Sequence, residues 1–544
     1  MQSLPEIVCR RAQEQPDEIA YRFFQGASFV PVELTFRSLH EKASSIAARL
    51  QQLGLYGERV LLTCKSQNLF IIGFFGCLLA GCIAVPTPLP RRKALISRLD
   101  LLAKNAAVRS VISDININQI GLDNVLSFID MRAWEAAEGH AEARSIMPTI
   151  CEDTVAFLQY TSGSTSDPKG VVVTHGNLMH NCAAIKEGMG LTPASSILTA
   201  LPLFHDMGLV GGVLEPMFVG CISSFMSPVE FVQFPERWLR IISHFNVTIS
   251  GGPNFMYELA ARNVSADQLA DCDFSAWQVA FCGAEPIRAG TIERFTRHMA
   301  AFGFKPEAFY PCYGMAESTL FITGKHIDEL PEVCTHHGSA VVSCGAPRLD
   351  TRIKIVDPAT FMALPELDIG EIWVEGGSVA AGYWHRPELT SQVFGACIEG
   401  SSDQLYLRTG DLGYMKNGEL FVTGRLKDLI IVYGKKYAPH DIEGVAEASH
   451  EALREAGGAA FALNEESGDR LLLVFELKRE WLRREAEWPQ VTSAIRQAVS
   501  AVNGVAVDGV VLIKPGSLPR TSSGKVRRHQ CHLDYLSGTL ERVF

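Results

Sequence analysis

The sequence predicts an α/β protein with a large amino-terminal domain of α/β layers, a β-rich subdomain and a small αβ carboxy-terminal domain. Three observations predict it. Short β-rich runs alternate with segments of helical apolar spacing through the first part of the chain, the pattern of layered, mostly parallel sheets. From about Ala340 the texture changes to denser, shorter strands. Past Gly424-Arg425-Leu426-Lys427 a second compact αβ set begins, with no low-complexity linker and no internal repeat. The expected division is 1–424 with a β-rich subdomain at about 340–424, a hinge at 425–428, and a mobile tail at 429–544.

The elements follow in order. Phe36 to Leu53 has apolar residues at helical spacing, and Arg59 to Thr63 reads as a strand. Leu69 to Val85 is almost wholly apolar and close to the length of a membrane helix. Yet it holds Gly73, Gly76 and Gly81, and Pro86 and Pro88 follow at once. That punctuation fits a buried helix turning into a buried strand, Cys82-Ile83-Ala84-Val85. Further strands are expected at Val155 to Gln159, Ile197 to Ala200, Val247 to Ser250 and Val279 to Phe281. The β-rich subdomain should carry strands at Thr351 to Val356, Gly370 to Glu375 and Glu419 to Thr423. The tail should carry Leu429 to Val432, Ala459 to Ala462, Leu471 to Glu476 and Gly509 to Ile513.

Bulk composition narrows the function classes. At 47% hydrophobic and 20% charged, the 544 residues are those of an ordinary globular protein. A formal charge of −11 argues against nucleic-acid binding, which needs clustered Lys and Arg, so any anionic ligand must be met by local features. The 14 Cys lie scattered, many in apolar runs and none in a CxxC pair, so they read as reduced core thiols and not as a zinc or disulfide framework. The start, Met1-Gln2-Ser3-Leu4-Pro5-Glu6, lacks the basic and apolar regions of a signal peptide. The expectation is a cytoplasmic monomer without a membrane span.

The sharpest local feature is Tyr160-Thr161-Ser162-Gly163-Ser164-Thr165-Ser166-Asp167-Pro168-Lys169-Gly170, just after the apolar strand Val155-Ala156-Phe157-Leu158. Hydroxyl residues and Gly let a loop wrap closely and offer N–H and O–H donors to phosphate oxygens, and Lys169 adds a point charge. The Walker spacing is absent. A solvated Ser/Thr-rich turn is the bland alternative, and the terminal Pro-Lys-Gly favours phosphate.

This stretch resembles the phosphate-binding loop of the adenylate-forming superfamily, which includes acyl-CoA synthetases, nonribosomal adenylation domains, luciferases and fatty acyl-AMP ligases. The resemblance runs in order along nearly the whole chain. It takes in Leu203-Phe204-His205-Asp206-Met207-Gly208, Gly283-Ala284-Glu285-Pro286, Tyr313-Gly314-Met315-Ala316-Glu317, Thr409-Gly410-Asp411, Gly424-Arg425-x-Lys427-Asp428 and Ser523-Gly524-Lys525. Each motif alone is weak, and six in the family's order leave little room for chance.

The resemblance implies ATP and Mg²⁺ as cofactors and assigns roles. Thr161, Ser162, Gly163, Ser164, Thr165 and Lys169 would hold phosphates. Gly283, Ala284 and Glu285 would form the adenine turn, while Tyr313, Gly314 and Met315 would flank the base, with the ring on the purine. Asp411 and Arg425 would hold the ribose hydroxyls, as acceptor and donor. Glu317, with the Thr165 hydroxyl, would be the metal ligand. His205 would orient the substrate beside the acyl tunnel without transferring a proton, and Lys525, carried by the tail, would contact the carboxylate and α-phosphate. Read alone, Glu317 is an incidental acid at a helix start, His205 a satisfied core residue, and Lys525 with Arg527 and Arg528 a solvated basic cluster.

The likeness is closest to fatty acyl-AMP ligases at Leu201 to Gly212 and Pro311 to Phe321. That branch implies a fatty acid substrate and an acyl carrier protein as acceptor, with fatty acyl-CoA synthetase as the alternative and a catalytically silent relative as a third reading. Intact Lys525, Glu317 and Asp411 speak against the third. Lys325 to Ala340 stands where this branch carries an insertion restraining domain movement, and is shorter than that insertion. Segments placed near the acyl pocket, Leu209 to Val213 and Gly251 to Met256, are apolar or neutral, with no acid to pair an amino acid's ammonium. Lys435 and Lys436, in the turn after the hinge, could meet the phosphate of coenzyme A or the acidic helix of a carrier protein.

Overall fold

The computed structural model describes residues 2–544 except 27, 90–92, 117–121, 123–126, 137–144, 162–167, 337–338, 401–403, 433–434, 466–467 and 522–523. The segment from Leu69 to Val85 shows how the sequence dictates the layers. Ser66 caps the helix Gln67–Ala80, accepting from the Leu69 N–H, and Gly81 ends it in the left-handed conformation (φ 71°). Every residue from Leu69 to Ala80 is buried, and the strand Ile83–Pro86 follows. A Cβ on Gly76 would lie 2.6 Å from Ile46 Cγ2, so glycine here lets the helix press against its neighbour Phe36–Gln52. Among the described residues no helix is long and apolar enough to cross a membrane.

Two sheets form the body. In the larger, Phe309–Gly314, Val279–Cys282, Ile249–Gly252, Ser196–Thr199, Ile222–Phe225 and Ile19–Phe23 run parallel in that spatial order, flanked by antiparallel edges. In the smaller, four parallel strands lead through Ile83–Pro86 to Val155–Thr161, which pairs antiparallel with Lys169–Thr174. The described strands thus match the expected α/β class. One expected strand is displaced. Val247 to Ser250 becomes Ile249–Gly252 because the Val247 N–H bonds the Ile242 carbonyl, closing the end of helix Pro235–His244. The apolar residue there serves the helix terminus instead of a ladder.

Arg352–Val356, Gly370–Glu375, Leu407–Lys416 and Glu419–Arg425 form an antiparallel meander. A hairpin, Val333–His336 with Ser339–Val342, occupies the stretch after Lys325. Beyond the short turn Leu426–Asp428, the chain builds a three-stranded sheet from Leu453–Glu465, Gly468–Leu477 and Gly509–Ile513. The core of this tail contains Ile430, Ile442, Leu473, Phe475, Val491 and Ile495, covered by helices Pro439–Ala448 and Trp488–Asn503. The first strand is much longer than Ala459 to Ala462, and a bulge between Leu453 and Gly458 interrupts its pairing.

Candidate active site

Strand ends and loops of the body meet the tail at one place. Asp411 and Arg425 are cross-strand partners in the meander, and Arg425 Nε lies 2.8 Å from Asp411 Oδ1. The Tyr313 hydroxyl donates to Asp411 Oδ2 at 2.8 Å. The Asp411 carboxylate is 7% exposed, so its charge is satisfied mainly by these two partners. Asp411 keeps the Arg425 guanidinium above its ordinary pKa, against burial. Tyr313 is therefore fixed through its hydroxyl, leaving orientation of the ring to the strand Phe309–Gly314. A Cβ on Gly314 would fall 1.8 Å from the Leu320 carbonyl oxygen, so this strand can turn only with glycine there. Met315 follows, part-buried in the cluster that includes Tyr313 and Ile322.

Glu317 lies two residues on, at the turn Ala316–Ser318. Its Oε1 accepts from the Tyr383 hydroxyl at 2.8 Å. Burial raises its pKa, opposed by the Tyr383 hydrogen bond and by Arg425. Tyr383 escaped the sequence reading because 66 residues separate it from Glu317 and no local motif marks it. Its ring also carries Lys169 Nζ 5.5 Å from the centroid. Lys169 pairs across strands with Thr161, at the two feet of the hydroxyl loop. Ser162, Gly163, Ser164 and Thr165 lie outside the described residues, as does the Thr161 side chain.

The turn expected to meet adenine, Gly283-Ala284-Glu285, follows the strand Val279–Cys282. Ala284 there is left-handed (φ 65°), a strained conformation for a residue with a Cβ. Gly283 is packed against Cys312, whose carbonyl oxygen would stand 2.9 Å from an added Cβ. The Glu285 carboxylate accepts the Phe255 N–H at 2.6 Å, and burial raises its pKa against the pull of Lys525, Arg288 and Arg520.

Lys525 comes from the tail. Arg520 and Val526 bridge, the Thr521 N–H reaches the Lys525 carbonyl at 2.8 Å, and the Lys525 N–H returns to Thr521 Oγ1 at 3.1 Å. The Lys525 ammonium feels the charges of Arg425, Asp206, Asp411 and Glu285. Burial lowers its pKa and Arg425 lowers it further, while the three carboxylates oppose them. His205 is lowered by burial and by Lys525 and raised by Asp206. Its ring lies tilted at 45° to that of Phe204, with centroids 4.8 Å apart. After Asp206, whose carboxylate accepts the Met207 N–H at 2.8 Å, the chain makes a π-helical stretch, Met207–Leu214. Leu209, Val210, Val213 and Leu214 are buried along it. Such widened turns collect at functional sites, and no pattern in the sequence announced this one. Of the opposite segment, Gly251, Gly252, Asn254 and Met256 are buried and Phe255 is 36% exposed.

The set thus joins Lys525, His205, Glu285, Tyr313, Glu317, Asp411 and Arg425 with Asp206, Tyr383, Lys427 and Lys169; Lys427 feels the charges of Arg425, Asp428, Lys169 and Asp411. The cations Lys169, Arg425, Lys427 and Lys525 can meet phosphate oxygens, and the carboxylates of Asp206, Glu285, Glu317 and Asp411 stand among them. A hard cation fits as well: Glu317 offers a carboxylate oxygen, and Mg²⁺ takes one or two carboxylates plus phosphate oxygens in preference to an all-protein cage. The Lys435 and Lys436 side chains, and residues 433 and 434 of that turn, lie outside the described residues.

Comparison with known proteins gives the family. The model of the AMP-binding enzyme family matches residues 8–384, and that of the Disco-interacting protein 2-like AMP domain matches residues 427–543. The chain is 39% identical to the medium-chain-fatty-acid acyl-carrier-protein ligase JamA of Moorena producens, over 99% of this chain and 96% of that protein. It is 32% identical to the ligase of the same description, TtuA, of Teredinibacter turnerae, over 95% and 91%. The structure is similar to that of the fatty acyl-adenylate ligase from L. pneumophila in complex with acyl adenylate and pyrophosphate. The TM-score is 0.77 at 35% identity, covering 100% of this chain and 97% of that one. The chain belongs to the AMP-binding enzyme family, the adenylate-forming enzymes, on its fatty acyl-AMP ligase branch.

Proposed function

We propose that the protein activates a fatty acid with ATP as the acyl-AMP, releases pyrophosphate, and passes the acyl group to the phosphopantetheine thiol of an acyl carrier protein. The observation that carries it is that Lys525, on the tail, feels the charges of Arg425, Asp206, Asp411 and Glu285 from the amino-terminal part. The names of JamA and TtuA support the fatty acid and the carrier protein.

The fatty carboxylate attacks the α-phosphorus in line, and both reactants are anionic. Catalysis must therefore neutralise repulsion and hold the two in register. Lys525 places its charge where carboxylate and α-phosphate meet, and Asp411 with Arg425 holds the ribose. Gly283, Ala284 and Tyr313 frame the base. Lys169, with the hydroxyl loop from Thr161 to Thr165, receives the departing phosphates. Glu317, oriented by Tyr383, is the residue that would hold Mg²⁺, which when bound neutralises phosphate charge. His205 and the apolar Met207–Leu214 turn orient the acyl chain. The tail, 429–544, then swings about 425–428, withdrawing Lys525 and opening the site to a thiol.

Pyrophosphate release with a panel of aliphatic acids and proteinogenic amino acids tests the reading. Release with aliphatic acids alone supports it; exchange with an amino acid and with no fatty acid overturns it.

A further inference from the structure

In the bulge of the first tail strand, both backbone groups of Ala456 are claimed. Ala456 is left-handed there (φ 46°), which turns its N–H and carbonyl out of the ladder. The Ala456 N–H donates to Glu447 Oε2 at 2.8 Å. Its carbonyl accepts from Arg520 Nη2, and Arg520 Nη1 donates to the Gly524 carbonyl at 2.9 Å, one residue before Lys525. The bulge therefore braces the turn that carries Lys525. The same turn is fixed from behind, where Glu476, fully buried, accepts the Leu518 N–H at 2.8 Å and pairs with Arg454 at 2.7 Å.

The bulge is held from the amino-terminal part as well. Arg288 Nη1 lies 3.5 Å from the other oxygen of Glu447. Arg262 pairs with Glu455, the residue next to Ala456. Arg262 is itself seated on Glu258, which also accepts from Arg294 at 2.8 Å and from the Thr291 hydroxyl at 2.7 Å. Two arginines fixed to the body thus hold two glutamates on either side of one tail residue, and that residue contacts the Lys525 turn through Arg520.

We propose that Arg262 and Arg288 are positioning residues for adenylation: they grip the tail at the 453–458 bulge and, through Glu447, Glu455 and Arg520, set the depth of Lys525. None touches the reacting atoms. The inference rests on the adenylation reading and adds a direction to it. The grip joins the two parts only while Lys525 is in the site, so it serves acyl-AMP formation and is broken during acyl transfer.

Arg262 and Glu455 are each 38% exposed, so reversing either charge leaves the core alone. Arg262→Glu and Glu455→Arg should each slow fatty-acid-dependent pyrophosphate exchange about fivefold or more, chiefly in kcat, and the double variant should recover to within about threefold of wild type. Deuterium uptake over 518–526 should rise in both single variants and fall back in the double. Acyl transfer from supplied acyl-AMP to a holo-carrier should stay within about twofold throughout, since that step does not use the grip. Undiminished exchange in the singles, no recovery in the double, or transfer falling in step with exchange overturns the proposal. If the wild-type protein gives no exchange with any fatty acid, the functional reading fails. Deuterium uptake still judges the grip, and uptake unchanged by charge reversal overturns it.

Discussion

Asp411 and Arg425 stand opposite one another on adjacent strands, joined at 2.8 Å, and the other oxygen of Asp411 is held by Tyr313 at 2.8 Å. One buried carboxylate thus fixes Tyr313 and Arg425 together, the tyrosine proposed to flank the base and the arginine proposed to hold the ribose.

Asp411→Asn should therefore weaken ATP binding more than fatty acid binding. It loses an ion pair, and the amide must offer a donor where two donors already point. The expected cost is about 1–3 kcal/mol in ATP affinity, read as a raised KM for ATP with the KM for fatty acid nearly unmoved. Equal changes in both would deny the residue a nucleotide role.

Lys525→Ala should reduce acyl-AMP formation by about 10²-fold or more, since it removes the charge proposed to act where carboxylate and α-phosphate meet. Burial lowers the Lys525 pKa, so the lysine loses its proton at a lower pH than an exposed one. Its charged form is the active one, so kcat/KM for adenylation should fall on the alkaline side below the ordinary lysine range. Lys525→Arg, weaker but always charged, should lose that limb. A pH profile identical in wild type and Lys525→Arg would contradict the assignment.

Glu317→Gln should raise the Mg²⁺ requirement about tenfold, because a neutral amide is a poor ligand for a hard cation. Burial raises the Glu317 pKa, so as pH falls the carboxylate protonates earlier than an exposed one. The wild-type Mg²⁺ requirement should then climb toward acid pH, while that of Glu317→Gln stays flatter. A Mg²⁺ titration at several pH values checks both.

Much of this was legible in the sequence because it is written locally. The apolar run closed by Gly81 specifies a buried helix and not a span, since glycine supplies the left-handed cap. The six motifs are short runs, so each can be picked out without knowing how distant segments pack. Contacts between distant segments were not legible. The Tyr383 hydroxyl on Glu317, the π-helical turn after Asp206 and the Ala456 bulge depend on how segments far apart in sequence pack. Val247 misled for the opposite reason: a strand-forming residue was recruited to end a helix.

The acceptor carries the central claim. With the same fatty acid, ATP and enzyme, and acyl-AMP turnover matched, mass spectrometry of two reactions decides it, one with a holo-acyl carrier protein and one with coenzyme A. The account predicts efficient loading of the carrier and slow or undetectable acyl-CoA. Acyl-CoA appearing as fast as the adenylate forms, with the carrier left unloaded, would contradict it and make the protein an acyl-CoA synthetase.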